Sequence, residues 1–277
     1  MTTEQGDYIL QSGDETKRLA TQHYVIKDEA GGLILAPLDL STKPLRILDS
    51  ATADGTWIRD LAQQYSGVPH EFIGTDIDTS AWPRDPPSHQ TYQIQDITKP
   101  WPAEWKEGFD FVHQRLALAA GGPIQKHIVS HLGDLVKPGG WIQLIEASNE
   151  THESHGPAFR NFVTIIKSIY TVFNGSLKLC EEIPVWLKEA GFVDIGYRDI
   201  DTKLGALNPD PVLAKQGVYS TTIAARGLVH FGSTLPVGAI PLSPEQIVNN
   251  PDDLNAELAK TGAVYPLRIV WARKPEA

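Results

Sequence analysis

The chain has 277 residues and a mass of 30.4 kDa, and its 41% hydrophobic content suffices for a sizeable core. Its 34 acidic and 24 basic side chains give a formal net charge of -10, which repels nucleic-acid phosphates and acidic membranes, so neither is expected as a partner. The one cysteine, Cys180, cannot form an intramolecular disulfide, and no stretch approaches the roughly 18 apolar residues of a membrane span. A reduced, cytoplasmic setting without secretion or membrane insertion is expected.

The first half of the chain alternates strand-like and helix-like segments. A mixed pattern over 16–36 predicts an N-terminal helix that Gly31-Gly32 interrupts. The later predicted elements are a strand over 45–49, a helix over 57–65, strands over 72–77, 92–97 and 109–112, a helix over 124–136 and a strand over 141–146. This alternation predicts right-handed crossovers and an α/β, Rossmann-like, doubly wound sheet that is mostly parallel.

The second half adds helices and two more strands. Its predicted elements are helices over 159–173 and 183–190, a strand over 192–200, a helix over 212–231 and a strand over 265–272. These strands are expected to complete a seven-stranded sheet, with the extra helices inserted over it. No repeat or low-complexity linker divides the chain, so we predict a single domain over 1–277. Within it, 1–44 would form a helical cap, 45–150 the cofactor-binding half and 151–277 the substrate-shaping half.

A loop of small residues joins the first predicted strand after the cap to the helix that follows. It comprises Asp49-Ser50-Ala51-Thr52-Ala53-Asp54-Gly55. Asp76 follows Gly55 by about 20 residues, the distance typical of a carboxylate that binds ribose hydroxyls in Rossmann-like sheets. Small side chains suit a backbone that must approach a ligand closely at the carboxyl edge of the sheet. The alternative interpretation is a packing turn and a solvated aspartate at the end of a strand.

Further segments match one family in chain order. They are Tyr8, Glu15, Arg18-Leu19, Gln22-His23, Gly31-Gly32, Ala36-Pro37, the loop segment 47–57, Thr75-Asp76-Ile77, Gln95-Asp96-Ile97, Trp105, the segment 109–115 and the turn 137–141. Together they resemble class I S-adenosylmethionine-dependent methyltransferases of the fungal LaeA-like group. The resemblance covers residues 8 to 150 well and the remainder loosely.

The resemblance implies S-adenosylmethionine as the cofactor and assigns a role to the loop. Asp49 and the backbone of Ala51, Ala53 and Gly55 would face the methionine part of the cofactor, and Asp76 would hold the ribose. The chain departs from the family at Ala51 and Ala53, where glycine is usual. Alanine disfavours a positive φ, at a cost on the order of 1 kcal/mol if the backbone requires one.

Other roles follow from the same resemblance. Ile77 would pack on the adenine, Asp96 would accept from the adenine amino group, and the Ile97 amide would bond a ring nitrogen. His113 and Gln114, at the end of the fourth strand, would lie near the sulfonium, with His113 as a positioning group or weak base.

In the same resemblance, Arg18 and Tyr8 would close the site from the cap. Two of the other roles have structural alternatives. Asp96 is also a candidate turn residue before Thr98-Lys99-Pro100. The cluster 113–115 has the alternative interpretation of a helix start whose arginine pairs with a surface carboxylate.

Other chemistry is less well supported by the sequence. His152 and His155 have a spacing that can bring two imidazoles to one metal, but no third ligand of matching context is found, so no metal is expected. Cys180 has no histidine close in sequence and is interpreted as a structural thiol. No G-x-S-x-G elbow marks a serine nucleophile.

The expected function is methyl transfer to a small-molecule secondary metabolite. Because the donor is already activated, the protein mainly aligns the reactants and excludes water, which demands little acid–base machinery. In overall size and texture the chain resembles the small fungal enzymes of this group, and this resemblance implies S-methylation of the thiols of a reduced epidithiodiketopiperazine such as dithiol gliotoxin. Three alternatives remain: N- or O-methylation of another fungal metabolite, an NAD-dependent oxidoreductase, or a non-catalytic methyltransferase-like regulator. The oligomeric state is left open, with a monomer favoured.

Overall fold

The strands lie close to the apolar runs that predict them. The structure is a computed structural model that describes residues 12–276. In chain order, the strands of this part are β1 (Arg46–Ser50), β2 (Glu71–Asp76), β3 (Gln90–Ile94), β4 (Phe109–Arg115), β5 (Val136–Ala147), β6 (Val193–Leu204) and β7 (Ala263–Arg273).

The seven strands form one sheet in the order β3-β2-β1-β4-β5-β7-β6. β1 to β5 are parallel, and β7 runs antiparallel to both β5 and β6. The predicted seven-stranded, mostly parallel and doubly wound sheet is thus confirmed. Because the parallel strands share one direction, the carboxyl ends of β1, β2, β4 and β5 meet at one edge of the sheet.

Helices cover both faces of the sheet. They are α1 (Ser12–Ala30), α2 (Thr56–Gln64), α3 (Gln125–Leu135), α4 (Pro157–Val172), α5 (Leu179–Glu189), α6 (Pro211–Gly232), α7 (Pro244–Val248) and α8 (Asn250–Lys260). The N-terminal helix ends at Ala30, at the predicted interruption by Gly31-Gly32, where Gly31 adopts a left-handed φ of 67°. One boundary prediction that bears on the site was wrong. The third strand ends at Ile94 rather than residue 97, so Asp96 and Ile97 lie in the turn beyond it.

Two apolar layers sandwich the central strands. On one face, Ile47 of β1 and Phe111 of β4 pack with Trp57 of α2, and each of these side chains is buried. On the other face, Leu48 and Val112 pack with residues of α3 and α5. Successive side chains of a strand point to opposite faces, so the polar residues at the strand ends must also divide between the two faces.

The second half of the chain packs over this framework. α4, α6 and α8 share an apolar cluster, and α1 contacts both α6 and β6. Lys203 of β6 bonds Glu29 of α1 at 3.0 Å, and Arg198 donates a hydrogen bond to the carbonyl of Ala30. The end of the N-terminal helix is therefore fixed by a strand from the last third of the chain. Within residues 12–276 no helix has the length and apolar character needed to cross a membrane.

Candidate functional site

One row of polar side chains crosses the carboxyl edge on the face that carries α2. Asp49 of β1 lies opposite His113 of β4, and its Oδ1 is 2.7 Å from His113 Nδ1. Its Oδ2 accepts a hydrogen bond of 2.7 Å from the Thr52 hydroxyl. The His113 ring stacks on Trp57 with ring centroids 4.1 Å apart. Asp49 therefore joins the fourth strand to the loop that follows the first strand.

His113 is a buried, neutral imidazole. Its side chain is 1% exposed, and burial lowers its pKa. The neutral ring donates from Nδ1 to Asp49, and Nε2 has no partner within residues 12–276. This environment suits a positioning group better than a base that must exchange protons with water.

A second polar row crosses the opposite face of the same edge. Ser50 of β1 lies opposite Thr75 and Gln114, and its hydroxyl donates to Gln114 Oε1 at 2.9 Å. Gln114 Nε2 and Thr75 Oγ1 are buried without a partner in the described part of the chain. Unpartnered polar atoms are uncommon in protein interiors, and a cluster of them at one edge is typical of a site that binds a ligand.

The loop after β1 has an unusual backbone. Ala51, Ala53 and Gly55 adopt left-handed φ values of 55°, 53° and 73°. The Thr52 amide donates to the Thr75 carbonyl at 2.8 Å, and the Gly55 amide donates to the Thr52 carbonyl at 2.9 Å. At Gly55 a Cβ atom would collide with the hydroxyl of Tyr92. The two alanines that depart from the family pattern thus stand where glycine is favoured, so the loop is strained.

We expect glycine at position 51 or 53 to stabilise the protein. Ala51→Gly and Ala53→Gly each relieve a left-handed alanine, which costs about 1–2 kcal/mol, against a smaller entropic cost of glycine. The net gain in the free energy of unfolding should be about 0.5–1 kcal/mol per site, measured by chemical denaturation. Ala62→Gly, inside α2, is the control and should lose about 1 kcal/mol. If Ala51→Gly and Ala53→Gly lower the free energy of unfolding as the control does, the left-handed conformation of Ala51 and Ala53 is not strained.

Asp76 stands at the end of β2 and holds the loop. Its Oδ2 accepts from the Ala53 amide at 2.8 Å, and its Oδ1 accepts from the amides of Ile77 and Asp78 at 2.8 and 3.2 Å. Burial raises the pKa of this carboxyl in spite of those bonds. A carboxylate offers about four lone-pair positions, so capacity remains for a hydroxyl donor. The neighbouring Ile77 side chain is exposed.

Asp96 and Ile97 occupy a turn close to Asp76. The Gln95 amide donates to the Asp76 carbonyl at 3.0 Å, which brings the two segments together. Asp96 Oδ1 accepts from the amide and hydroxyl of Thr98 at 2.8 and 2.7 Å, which is the turn role considered as the alternative. Ile97 is buried under it. The turn and a ligand-binding role are compatible, since only one carboxylate oxygen makes these bonds.

The helical cap reaches the site through a network of polar and charged residues. Arg115, at the end of β4, donates to His23 Nδ1 at 3.3 Å, and His23 Nε2 donates to Asp60 of α2 at 2.8 Å. Burial lowers the pKa of His23 to about 4 and keeps the ring neutral. Arg18 bonds Glu15 at 2.7 Å, and burial, with a smaller contribution from the nearby Arg18 charge, lowers the pKa of Arg115. Tyr8 lies outside the described residues.

One residue of this edge was missed by the sequence analysis. Glu146, at the end of β5, is 2% exposed, and its Oε1 accepts from the amides of Ala117 and Leu118 at 3.1 and 3.0 Å. Burial raises the pKa of its carboxyl to about 7. The available signal was a carboxylate that ends a nearly continuous apolar strand.

The histidines considered for a metal are used by the fold. His155 Nε2 donates to the Val264 carbonyl at 2.8 Å, and its Nδ1 accepts from the His152 amide at 3.2 Å. His152 Nδ1 lies 2.8 Å from the Ser154 hydroxyl. Between residues 12 and 276 no group of three or more histidine, cysteine or acidic side chains is placed to hold a metal ion.

Similar proteins define the class to which this site belongs. No protein-family model matches the chain. The N-methyltransferase sirN of Leptosphaeria maculans is 34% identical over 98% of this chain and 96% of its own length. The N-methyltransferase gliN of Aspergillus fumigatus is 29% identical over 99% of this chain and 98% of its own length. The chain therefore belongs to a family of methyltransferases of fungal secondary metabolism.

Solved structures agree with this assignment at the level of the fold. A protein described as a methyltransferase from an antibiotic biosynthesis pathway of Anabaena variabilis matches with a TM-score of 0.57 at 12% identity, over 93% of this chain and 99% of that one. Phosphoethanolamine N-methyltransferase 2 of Haemonchus contortus, solved with S-adenosyl-L-methionine, matches with a TM-score of 0.52 at 16% identity, over 98% of this chain and 59% of that one. The sheet is therefore a Rossmann-like methyltransferase fold.

Proposed function

We propose that this methyltransferase transfers a methyl group from S-adenosylmethionine to a nitrogen atom of a small fungal metabolite. The observation that carries the proposal is the loop of alternating left-handed residues held over Asp76, in a chain that matches named N-methyltransferases along nearly its whole length. We also place the chain in the LaeA-like group, as one methyltransferase domain. Membership of a methyltransferase family argues against the NAD-dependent oxidoreductase.

The residues at the carboxyl edge fit this cofactor. Asp76 has a half-buried carboxylate with acceptor capacity left for a ribose hydroxyl. The slim backbone over 51–55 leaves room for the methionine part, and the exposed Ile77 offers an apolar surface to the adenine. The turn at Asp96 and Ile97 would hold the adenine edge.

Two further groups lie where the reacting end of the cofactor would face the sheet. His113 Nε2 and Gln114 Nε2 are both unpartnered and buried within the described residues, at the end of the strand next to the loop. Bound there, the cofactor supplies a methyl group already activated by a sulfonium. The protein then aligns the acceptor and excludes water, for which the covering helix α1 with Arg18 and His23 is suited.

Thiol methylation is the second candidate, with a reduced epidithiodiketopiperazine such as dithiol gliotoxin as acceptor. The observation that favours it is the burial of His113, which leaves that residue poorly suited to act as a base. A thiol with a pKa near 8.5 ionises without strong help, whereas an amide nitrogen does not. The names of the relatives support nitrogen over sulfur.

The acceptor atom is tested by product analysis. The protein is incubated with methyl-labelled S-adenosylmethionine and, separately, with a diketopiperazine that has a free ring N–H, with dithiol gliotoxin and with a simple phenol. We expect label on the ring nitrogen, located by fragmentation in the mass spectrometer. Label confined to sulfur would replace the nitrogen proposal by the thiol one. Absence of any binding of S-adenosylhomocysteine by calorimetry would contradict both.

A further inference from the structure

A buried carboxyl group adjoins the proposed cofactor site, and the proposed function gives it no role. Glu146 follows Leu144 by two residues on β5, and Leu144 lies opposite Gln114 of β4. Glu146 and Gln114 therefore project from the same face of the sheet, at its carboxyl edge. Oε1 of Glu146 binds the amides of Ala117 and Leu118, whereas Oε2 makes no hydrogen bond to any residue of the described range.

The groups that face Glu146 do not change their charge near neutral pH. Tyr170 of α4, Cys180 of α5 and Tyr265 of β7 lie around it, and burial raises the pKa of both phenols and, to about 12, that of the thiol. Arg268 of β7 lies directly opposite Glu146 in the sheet; its guanidinium donates to the Cys180 carbonyl and is paired with Asp199, its Nε 2.5 Å from the carboxylate. Glu146, with a pKa of about 7, is thus the group in this cluster that changes charge between pH 6 and 8.

The position of Glu146 relative to the loop suits an acceptor site. β4 lies between β1 and β5. Neighbouring strands are about 4.8 Å apart, so the end of β5 is about 10 Å from the end of β1, where the loop begins. If the loop holds the methyl donor with its reacting end towards β4, the carboxyl end of β5 is the next strand end beyond the reacting methyl group. An acceptor placed between the donor and Glu146 would also lie near Tyr170 and Tyr265, which interact electrostatically with Glu146.

We propose that Glu146 is a catalytic residue that receives the acceptor, with Oε2 accepting the hydrogen bond of its N–H group and then taking its proton. This inference rests on the proposed function. The nitrogen lone pair forms the bond to the methyl carbon, the bond from that carbon to sulfur breaks with its electron pair going to sulfur, and the nitrogen proton goes to Oε2. The positive charge of the donor and the negative charge of Glu146 are removed together. The substrate class is a compound with an amide or amine N–H.

A structural role of Glu146 can be separated from this one by a conservative change. In Glu146→Gln the amide oxygen can still accept from Ala117 and Leu118, but the side chain carries no charge and cannot take a proton. A matched control exists in Glu257, which accepts from the amides of Ala158 and Phe159 at 2.8 and 3.0 Å, at the start of α4. Glu257→Gln makes the same chemical change at an anchoring carboxylate outside the site.

The test uses binding rather than turnover. The wild-type protein and both variants are first titrated with S-adenosylhomocysteine by calorimetry. Each is then saturated with that ligand and titrated with 2,5-diketopiperazine, a small ring with two amide N–H groups and no thiol, followed by NMR at pH 6 and pH 8. With a pKa of about 7, ionisation of Glu146 rises from about a tenth to about nine tenths over this range.

We expect the affinity of the wild-type protein and of Glu257→Gln for the diketopiperazine to rise about tenfold from pH 6 to pH 8. Glu146→Gln should bind it at least fivefold more weakly at pH 8 and show no pH dependence, while its affinity for S-adenosylhomocysteine is unchanged. Three results would each overturn the role of Glu146. They are an affinity of the wild-type protein that does not change with pH, an affinity of Glu146→Gln equal to that of the wild-type protein at both pH values, and no binding of the diketopiperazine to the saturated wild-type protein. Failure of the wild-type protein to bind S-adenosylhomocysteine would instead overturn the proposed function.

Discussion

Replacing Asp76 by asparagine is expected to weaken the binding of S-adenosylhomocysteine by about 10- to 100-fold. Hydrogen bonds to a charged partner contribute about 1.5–3 kcal/mol each, and the change removes the negative charge of the carboxylate that we propose accepts a ribose hydroxyl. It also removes one acceptor from a carboxylate that binds the amides of Ala53, Ile77 and Asp78. Calorimetric titration measures the affinity.

The matched control for this change is two residues away. Asp78 is exposed, and its side chain bonds the Ser80 amide at 2.8 Å rather than the loop after β1. Asp78→Asn should leave the affinity within about twofold of the wild-type value. Thermal unfolding of both variants without ligand shows whether Asp76→Asn also loosens the loop. An unchanged affinity in Asp76→Asn would remove Asp76 from the proposed cofactor site.

Replacing Asp49 by alanine should produce the largest loss of stability among the changes at the carboxyl edge. The substitution leaves two buried donors without an acceptor, the His113 ring N–H and the Thr52 hydroxyl. An unsatisfied buried donor costs about 1–3 kcal/mol, so we expect the free energy of unfolding to fall by about 3 kcal/mol. Urea denaturation measures the loss.

A surface aspartate provides the comparison for Asp49. Asp28 of α1 is exposed, and Asp28→Ala should change the free energy of unfolding by less than about 0.5 kcal/mol. Asp49→Asn should fall between the two, because its amide oxygen retains one acceptor. A loss below 1 kcal/mol in Asp49→Ala would mean that water or the relaxed loop satisfies both donors, and that the polar row does not fix the loop.

The central strands could be predicted because both of their faces are buried. A parallel strand between two helical layers is a continuous apolar run, as in β1 with Ile47 and Leu48 at 0% exposure. β3 was extended too far because it is an edge strand, in which Ile94 is largely exposed and apolar residues do not mark its end. After β3 ends, the side chain of Asp96 accepts a hydrogen bond from the Thr98 amide and stabilises the turn that follows the strand.

α8 was missed for a different physical reason. It has a polar sequence in which Leu254 and Leu258 are the two buried leucines, four residues apart. Two leucines four residues apart form a single narrow apolar stripe. In a segment that is otherwise polar, this stripe is too short to be recognised as the repeating pattern of an amphipathic helix. Its stability comes from packing on α4 and α6, which the local sequence does not contain.

The local part of the candidate site was accessible from sequence, whereas the paired part was not. The loop and Asp76 follow from spacing along two consecutive strands. The contact between Asp49 and His113 joins residues 64 positions apart and depends on the register of β1 against β4. Glu146 acquires its character from burial by β7 and two later helices, so its raised pKa is a property of the folded chain.

The attachment of α1 to β6 has a consequence for biosynthesis. Glu29 and Lys203 are 174 residues apart, so at about 5–20 residues per second the ribosome finishes the partner strand roughly 10 to 35 s after the helix. During that interval Val25 and Ile26, which are buried in the finished protein, lack the surface that covers them. The nascent N-terminal helix is thus a natural client for a chaperone that binds short apolar segments until the last third of the chain is made.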